Sequence, residues 1–323
     1  MAYDPEFITG KKVPLPKIKE ALKTKIAGLR NNAAKKIIDY AHHSVVIHKE
    51  RRQAFFSACN IDGNNIPQVI PARKDNWQEE PNLKSEYQIQ KDFYDTCGSI
   101  IDRGHLTKYE DPIWGKSLNK DEMKKLGDST FFFPNCSPQH RTLNRGMWKS
   151  LELYILDKQT DKKNLKICLF TGPILKDDDP AYIKKINNEQ LQLPELFWKV
   201  ITFKQDAALY AVGFIMSQQE LLKASKLIVK KPVTKAFTPK GIAFMDYSHS
   251  NPYQVKVEQI EQLTGLDFSC EGKCNYPFQK DEPIKLIVKK VNIKPKAKAF
   301  LGVGQEQNPH TMREYNFTNI KLF

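Results

Sequence analysis

Four consecutive residues, Asp102-Arg103-Gly104-His105, follow the apolar pair Ile100-Ile101 and place an imidazole where a predicted strand ends. A histidine held there is aimed rigidly and titrates close to neutral pH, as a proton acceptor must. A structural histidine is the other reading of the same four residues. A second group of candidates lies on the helix predicted over Arg141 to Lys158. At about 100° per residue, Trp148, Leu151 and Ile155 fall within about 40° of Asn144, so its amide is expected to point into an apolar stripe. A buried amide without partners costs about 1–3 kcal/mol, and holding a hard cation through its oxygen is one answer to that cost. Glu152 lies about 80° around the same helix and within about 12 Å along its axis. A capped helix carrying an ordinary exposed glutamate is the alternative for this pair.

The elements that must position these groups follow from periodicity. Strands are expected over Ser44 to Ile47 and Ala54 to Ile61, the second ending in the turn signal Asp62-Gly63, and again at Ser99 to Asp102, Ser129 to Phe133, Leu165 to Phe170, Phe197 to Phe203 and Leu209 to Ile215. Helices fit Arg141 to Lys158, Gln218 to Leu227 and Val255 to Leu263, with Lys108 to Asp128 looped between His105 and Asn144. Without regular alternation of strand and helix, the class expected is a mixed α+β domain. From Lys17 to Tyr40 the apolar Ile18, Leu22, Ile26, Leu29, Ala33 and Ile37 recur every three or four positions among basic residues, the pattern of a basic amphipathic helix. The chain is accordingly divided into an N-terminal extension (1–40), a main domain (41–268) and a Lys-rich C-terminal extension (269–323), which adds edge strands, folds separately or carries a partner site.

Lys and Arg number 51 against 37 Asp and Glu in 323 residues, a formal charge of +14. That balance attracts polyanions, nucleic acid foremost, although many Lys-rich proteins bind none. Six cysteines spread through the chain do not make a disulfide scaffold, and reduced thiols are expected. Cys270 and Cys274 suggest half a zinc site, with His249 a loose third ligand. No apolar run approaches the roughly 20 residues of a membrane span, so no membrane partner is expected. The acidic start Met1-Ala2-Tyr3-Asp4-Pro5-Glu6-Phe7 lacks a secretory signal. A bacterial cytoplasmic setting is expected, with export compatible if a leader was removed.

Asp102-Arg103-Gly104-His105, then Phe133-Pro134-Asn135-Cys136-Ser137-Pro138-Gln139, then Asn144 and Glu152 together resemble the DNA/RNA non-specific endonucleases, the ββα-metal or His-Me finger nucleases. The likeness runs from about Tyr40 to Phe268 and includes Arg73 with nearby Trp77, Trp114-Gly115, Phe170-Thr171-Gly172-Pro173 and Leu263-Thr264-Gly265-Leu266-Asp267-Phe268. It implies a ββα-metal core on a mainly antiparallel central sheet flanked by helices, and cleavage of both DNA and RNA. In that reading His105 deprotonates the attacking water, and Asn144 is the one direct protein ligand of a hydrated Mg²⁺, with Mn²⁺ an alternative. Glu152 orients the hydrated metal through water, Arg73 and Arg103 sit near the scissile phosphate, and Asn135 organises the site by touching substrate or by holding a loop. Some members carry an arginine one helical turn after the glutamate. Here Leu156 stands there, so any role of that arginine is absent or supplied from elsewhere, with Arg145 or Lys149 as candidates. Three further readings are kept: restriction to one nucleic acid, a toxin or defence effector regulated by a protein partner or by homodimerisation, and a catalytically silent nucleic-acid binder.

Overall fold

The computed structural model describes residues 2–146, 151, 165–186, 188–229, 252–269, 274–291, 314–317 and 319–320. Its centre is a nine-stranded sheet. In spatial order the strands are Ile284–Lys285, Pro252–Val255, Ala208–Ser217, Leu196–Gln205, Lys166–Ile174, Gln53–Asp62, His43–His48 and Ile38–Asp39, with Cys274–Asn275 beside Ala208–Ser217. Every pairing is antiparallel except that of Cys274–Asn275.

The central strands are apolar on both sides because both faces are covered. Along Leu196–Gln205, Trp198 and Val200 enter one core cluster while Phe197, Ile201 and Phe203 enter the other. Along Ala208–Ser217, Leu209, Ala211 and Ile215 separate in the same way from Val212, Phe214 and Met216. That division is the two-residue period of a strand.

The amphipathic helix expected over Lys17 to Tyr40 is not what forms. Lys17–Ile18 pairs with Leu266–Asp267, a helix spans only Glu20–Lys23, and turns lead to Ile38–Asp39. Asn32 supplies the physical reason. Its side-chain oxygen accepts from the backbone N–H of Ala34 (3.1 Å) and Lys35 (3.3 Å), while Leu29 N–H bonds Lys35 O at 3.0 Å, so the chain folds back in a tight turn in competition with the helix. The periodic residues are still used: Ile18, Leu22, Ile26 and Ile37 pack on the sheet cluster that also holds Tyr3, Phe7, Ile8 and Val13.

Two other expectations change. Ser129 to Phe133 is not a strand. It runs as irregular chain into a 3₁₀ turn at Phe133–Asn135, where Pro134 has no N–H to give a ladder. The segment Lys108 to Asp128 is not all loop, because Lys120–Asp128 is helical behind a capping box in which Asn119 and Glu122 bond reciprocally. The helix expected from Gln218 spans Gln219–Ala224, and the one expected from Val255 spans Val257–Thr264. The single helix expected over Arg141 to Lys158 is not what forms: Arg141–Arg145 is helical and stops at Gly146, whose φ of −102° and ψ of −121° are not helical, and Leu151 is helical again beyond that break. Trp148, Lys149, Glu152, Ile155 and Leu156 lie outside the described residues.

The described parts of the C-terminal extension add Cys274–Asn275 and Ile284–Lys285 to the sheet, and a further antiparallel pair joins Val288–Val291 to Glu314–Phe317. Cys274 is disulfide-bonded rather than a free thiol, which removes it as a zinc ligand. Cys270 and His249 lie outside the described residues. Cys59, Cys97, Cys136 and Cys168 are buried free thiols. No helix among the described residues is long and apolar enough to cross a membrane.

Candidate active site

Ile101–His105 pairs antiparallel with Cys136–His140, and the chain then enters the helix Arg141–Arg145. Two strands and a helix thus form the compact ββα unit that the motifs implied. Gly104 permits the pairing, since a Cβ there would stand 2.2 Å from the side chain of the fully buried Gln139. His140 caps the helix by accepting from Thr142 N–H at 3.2 Å. Leu143 anchors the helix in the sheet cluster, which Leu151 also joins from beyond the break at Gly146, and Asn144 is left half-buried, facing a cavity. Leu151 is buried as periodicity expected, but the break at Gly146 removes the angular relation between it and Asn144, and Leu143 is the apolar anchor within Asn144's own helix.

The cavity, about 690 Å³, gathers His105, Asn144, Arg73 and Arg103. His105 is buried at the strand end between Trp77, at 4.5 Å between ring centroids, and the edge of Phe131 at 5.0 Å. Its Nε2 has no hydrogen-bond partner among the described residues. Burial, with Arg73, Lys108 and His43 adding positive charge nearby, pushes its pKa well below the usual histidine value, so the ring is a neutral base at pH 7.

Asp102 organises the other side. Its carboxylate accepts from Asn144 Nδ2 at 2.9 Å and from both Nε (2.8 Å) and Nη2 (2.6 Å) of Arg145. A carboxylate of this kind only accepts, so the NH₂ end of the Asn144 amide must face Asp102, and Oδ1 is left pointing away from it. Arg145 lines the cavity, but its fork is committed to Asp102.

Asn135 does not reach the cavity. It is fully buried, and its oxygen accepts from Thr107 N–H (3.0 Å) and Ser57 Oγ (3.2 Å), while its NH₂ donates to Thr107 O (2.7 Å) and Thr130 O (3.0 Å). All four hydrogen-bonding positions of the amide are used. With Leu106 N–H bonded to Asn135 O at 2.9 Å, this residue ties the loop after His105 to its surroundings and does not line the cavity. Glu152 cannot be placed, as it lies outside the described residues.

Among the described residues no group of three or more His, Cys, Asp or Glu side chains could cage a metal ion. One amide oxygen in a roomy polar cavity instead suits a small cation that keeps most of its water, so the Asn144 site fits Mg²⁺ or Mn²⁺. Sequence reasoning gave Asp102 no role, and Arg145, considered there as a substitute for the family's missing arginine, is instead bound to Asp102. The aspartate stood inside the motif, but a contact between positions 102 and 145 leaves no trace in spacing.

A family model described as DNA/RNA non-specific endonuclease matches residues 21–274. A Sinorhizobium fredii (strain NBRC 101917 / NGR234) protein named Uncharacterized protein y4fB is 32% identical over 270 residues, 80% of this chain and 37% of that protein. Mitochondrial Endonuclease G of Bos taurus is 29% identical over 180 residues, 54% of this chain and 50% of that protein. The Homo sapiens counterpart is 31% identical over 113 residues, 33% and 35% respectively. The chain thus spans between about a third and a half of the length of these relatives. Among solved structures, a chain from the crystal structure of the EndoG/EndoGI complex aligns at 18% identity and a TM-score of 0.48, over 72% of this chain and 85% of that one.

Proposed function

Because the chain belongs to the DNA/RNA non-specific endonuclease family, we propose that the cavity at the end of Ile101–His105 hydrolyses phosphodiester bonds of DNA and RNA without regard to base sequence. The observation that carries this reading is the convergence on one cavity of a buried neutral imidazole, an amide with a fixed outward oxygen and two arginines.

His105 takes the proton of the attacking water. Its low proton affinity keeps it unprotonated before the step, and the Trp77 and Phe131 rings hold its plane. Asn144 would hold Mg²⁺ or Mn²⁺ through Oδ1. When bound, that ion stabilises negative charge on the phosphate and on the departing oxygen. Arg73 and Arg103 present guanidinium groups to the phosphate. Asn135 keeps the His105 loop in place, and Glu152 would act on the hydrated cation from outside its direct ligands. None of these groups reads a base edge, and phosphate carries no base information.

Purified protein is incubated with supercoiled plasmid and with a structured RNA, in Mg²⁺ or in EDTA, beside His105→Ala. Metal-dependent cutting of both substrates that is lost in the variant supports the reading. Equal cutting by the variant removes His105 from the chemistry, and cutting of one substrate alone restricts the substrate class.

A further inference from the structure

The cavity gathers four cationic side chains among the described residues, Arg73, Arg103, Lys108 and Arg145, and each stands against a carboxylate. Arg145 is on Asp102 at 2.6 Å, Arg103 on Asp95 at 3.5 Å, and Lys108 near Glu110 at 3.9 Å. Arg73 is gripped by both oxygens of Asp75, Nε to Oδ1 at 3.1 Å and Nη2 to Oδ2 at 3.3 Å. In a chain of formal charge +14, the place where phosphate must bind is locally balanced.

Of the four pairs, Arg73–Asp75 is the one built for exchange. Asp102 is engaged in orienting Asn144, Asp95 also takes Lys91 at 2.7 Å, and Glu110 is at the outer limit of pairing. Arg73 and Asp75 are both about half exposed (49% each) and lie in a stretch without regular structure. Solvent-screened pairs of this kind are weakly held. Yet a guanidinium fork takes a carboxylate or a phosphate on the same edge, and Asp75 holds that edge of Arg73 with one hydrogen bond to Nη2 and an ion-pair contact to Nε, so it occupies the place a phosphodiester would take.

We propose that Asp75 is an intramolecular competitor for substrate phosphate at Arg73, so that nucleic-acid affinity in this cleft is set by exchange of carboxylate for phosphate. This rests on the nuclease reading above. The exchange discriminates among ligands: a single phosphate gains little by displacing Asp75, whereas a polyanion anchored at several other positions brings the next phosphate to Arg73 at high local concentration. The freed carboxylate attracts a cation as the phosphate releases one, so the wild-type contact at Arg73 contributes little to the salt dependence of binding.

Binding is measured by fluorescence anisotropy on a labelled single-stranded oligonucleotide in EDTA, with the whole chain carrying His105→Ala so that nothing is cut. Adding Asp75→Asn is expected to tighten binding about two- to fivefold and to steepen the log–log salt dependence by about one. Asp121→Asn, an exposed carboxylate on the helix Lys120–Asp128, changes net charge equally and should do neither. In an Arg73→Gln background the gain from Asp75→Asn should vanish. Tightening no greater than that of Asp121→Asn, or tightening that survives loss of Arg73, overturns the competitor and leaves the nuclease reading standing. No binding by any variant sinks both.

Discussion

At the scale of single residues, the site separates groups that meet substrate from groups that aim them. His105→Ala should lower cleavage about 100- to 10,000-fold, the range for loss of a general base, with oligonucleotide binding in EDTA largely kept. A comparable loss of binding would instead make His105 a structural residue. Asp102→Asn tests the aiming role. The substituted amide can present its own NH₂ to Asn144 and releases the Arg145 fork, so Asn144 Oδ1 is no longer held outward. Affinity for Mn²⁺, followed by titration with a relaxation or calorimetric readout, should fall about 10- to 100-fold; unchanged affinity would show that Asp102 does not set the ligand. His105 and Asn144 became candidates together only through the family resemblance, since the four-residue motif by itself left a structural histidine open and Asn144 stood in no motif of its own; the structure places both on one cavity. The duties of Asp102 and Asn135 were not legible in the sequence. Asn135 is defined by contacts from positions 57, 107 and 130, which meet only when Gln53–Asp62 and the loop after His105 are folded against each other.

At the scale of elements, the ββα unit is a device for bringing positions 105 and 144 to one cavity, and Gly104 is its tightest tolerance. Gly104→Ala puts a methyl carbon on the buried Gln139 side chain, so the pair Ile101–His105 with Cys136–His140 must part or Gln139 must shift. Overpacking of this kind costs about 1–3 kcal/mol. The variant should unfold at lower urea and also lose turnover, because His105 is the next residue. A variant as stable and active as wild type would mean that Gln139 moves freely. The central strands were readable because burial on both faces writes long apolar runs. The helix over Lys17 to Tyr40 was misread because an apolar residue every three or four positions also arises when an irregular chain crosses a hydrophobic surface, and Asn31-Asn32 was the local signal against it. The helix Lys120–Asp128 was missed although its Asn119-to-Glu122 capping box was visible, because its exposed residues carry little apolar periodicity.

At the scale of the whole molecule, the neutral histidines that serve the fold couple its stability to acid. His43 is fully buried, and burial, only partly offset by its bond to Ala41 O, lowers its pKa to about 4. His48 is lowered to about 3 by burial and then by Arg51 and Lys25. His105 is lowered as well, chiefly by burial. In the unfolded chain each titrates near 6.5. Below that pH the unfolded state binds protons that the folded state refuses, so stability complete above about 6.5 is lost as the pH falls, by up to about 1.4 kcal/mol per unit for each histidine. The loss from His43 ends near pH 4 and that from His48 near pH 3. Asp179 runs the other way: burial raises its carboxyl to about 6 despite the Arg51 guanidinium at 2.6 Å, so the folded state takes up a proton there before the unfolded one does. Glu261, also raised by burial, runs the same way as Asp179, but His42 and His140 are lowered as well, so two carboxyls stand against five histidines and the melting temperature should fall steadily from pH 7 to pH 5. His43→Asn, measured over the same range, should flatten that fall even if it lowers the starting value. A melting temperature independent of pH between 7 and 5 would mean that these rings are hydrated and ordinary in their proton affinity, and with them the account of His105 as a base kept neutral by burial would fail.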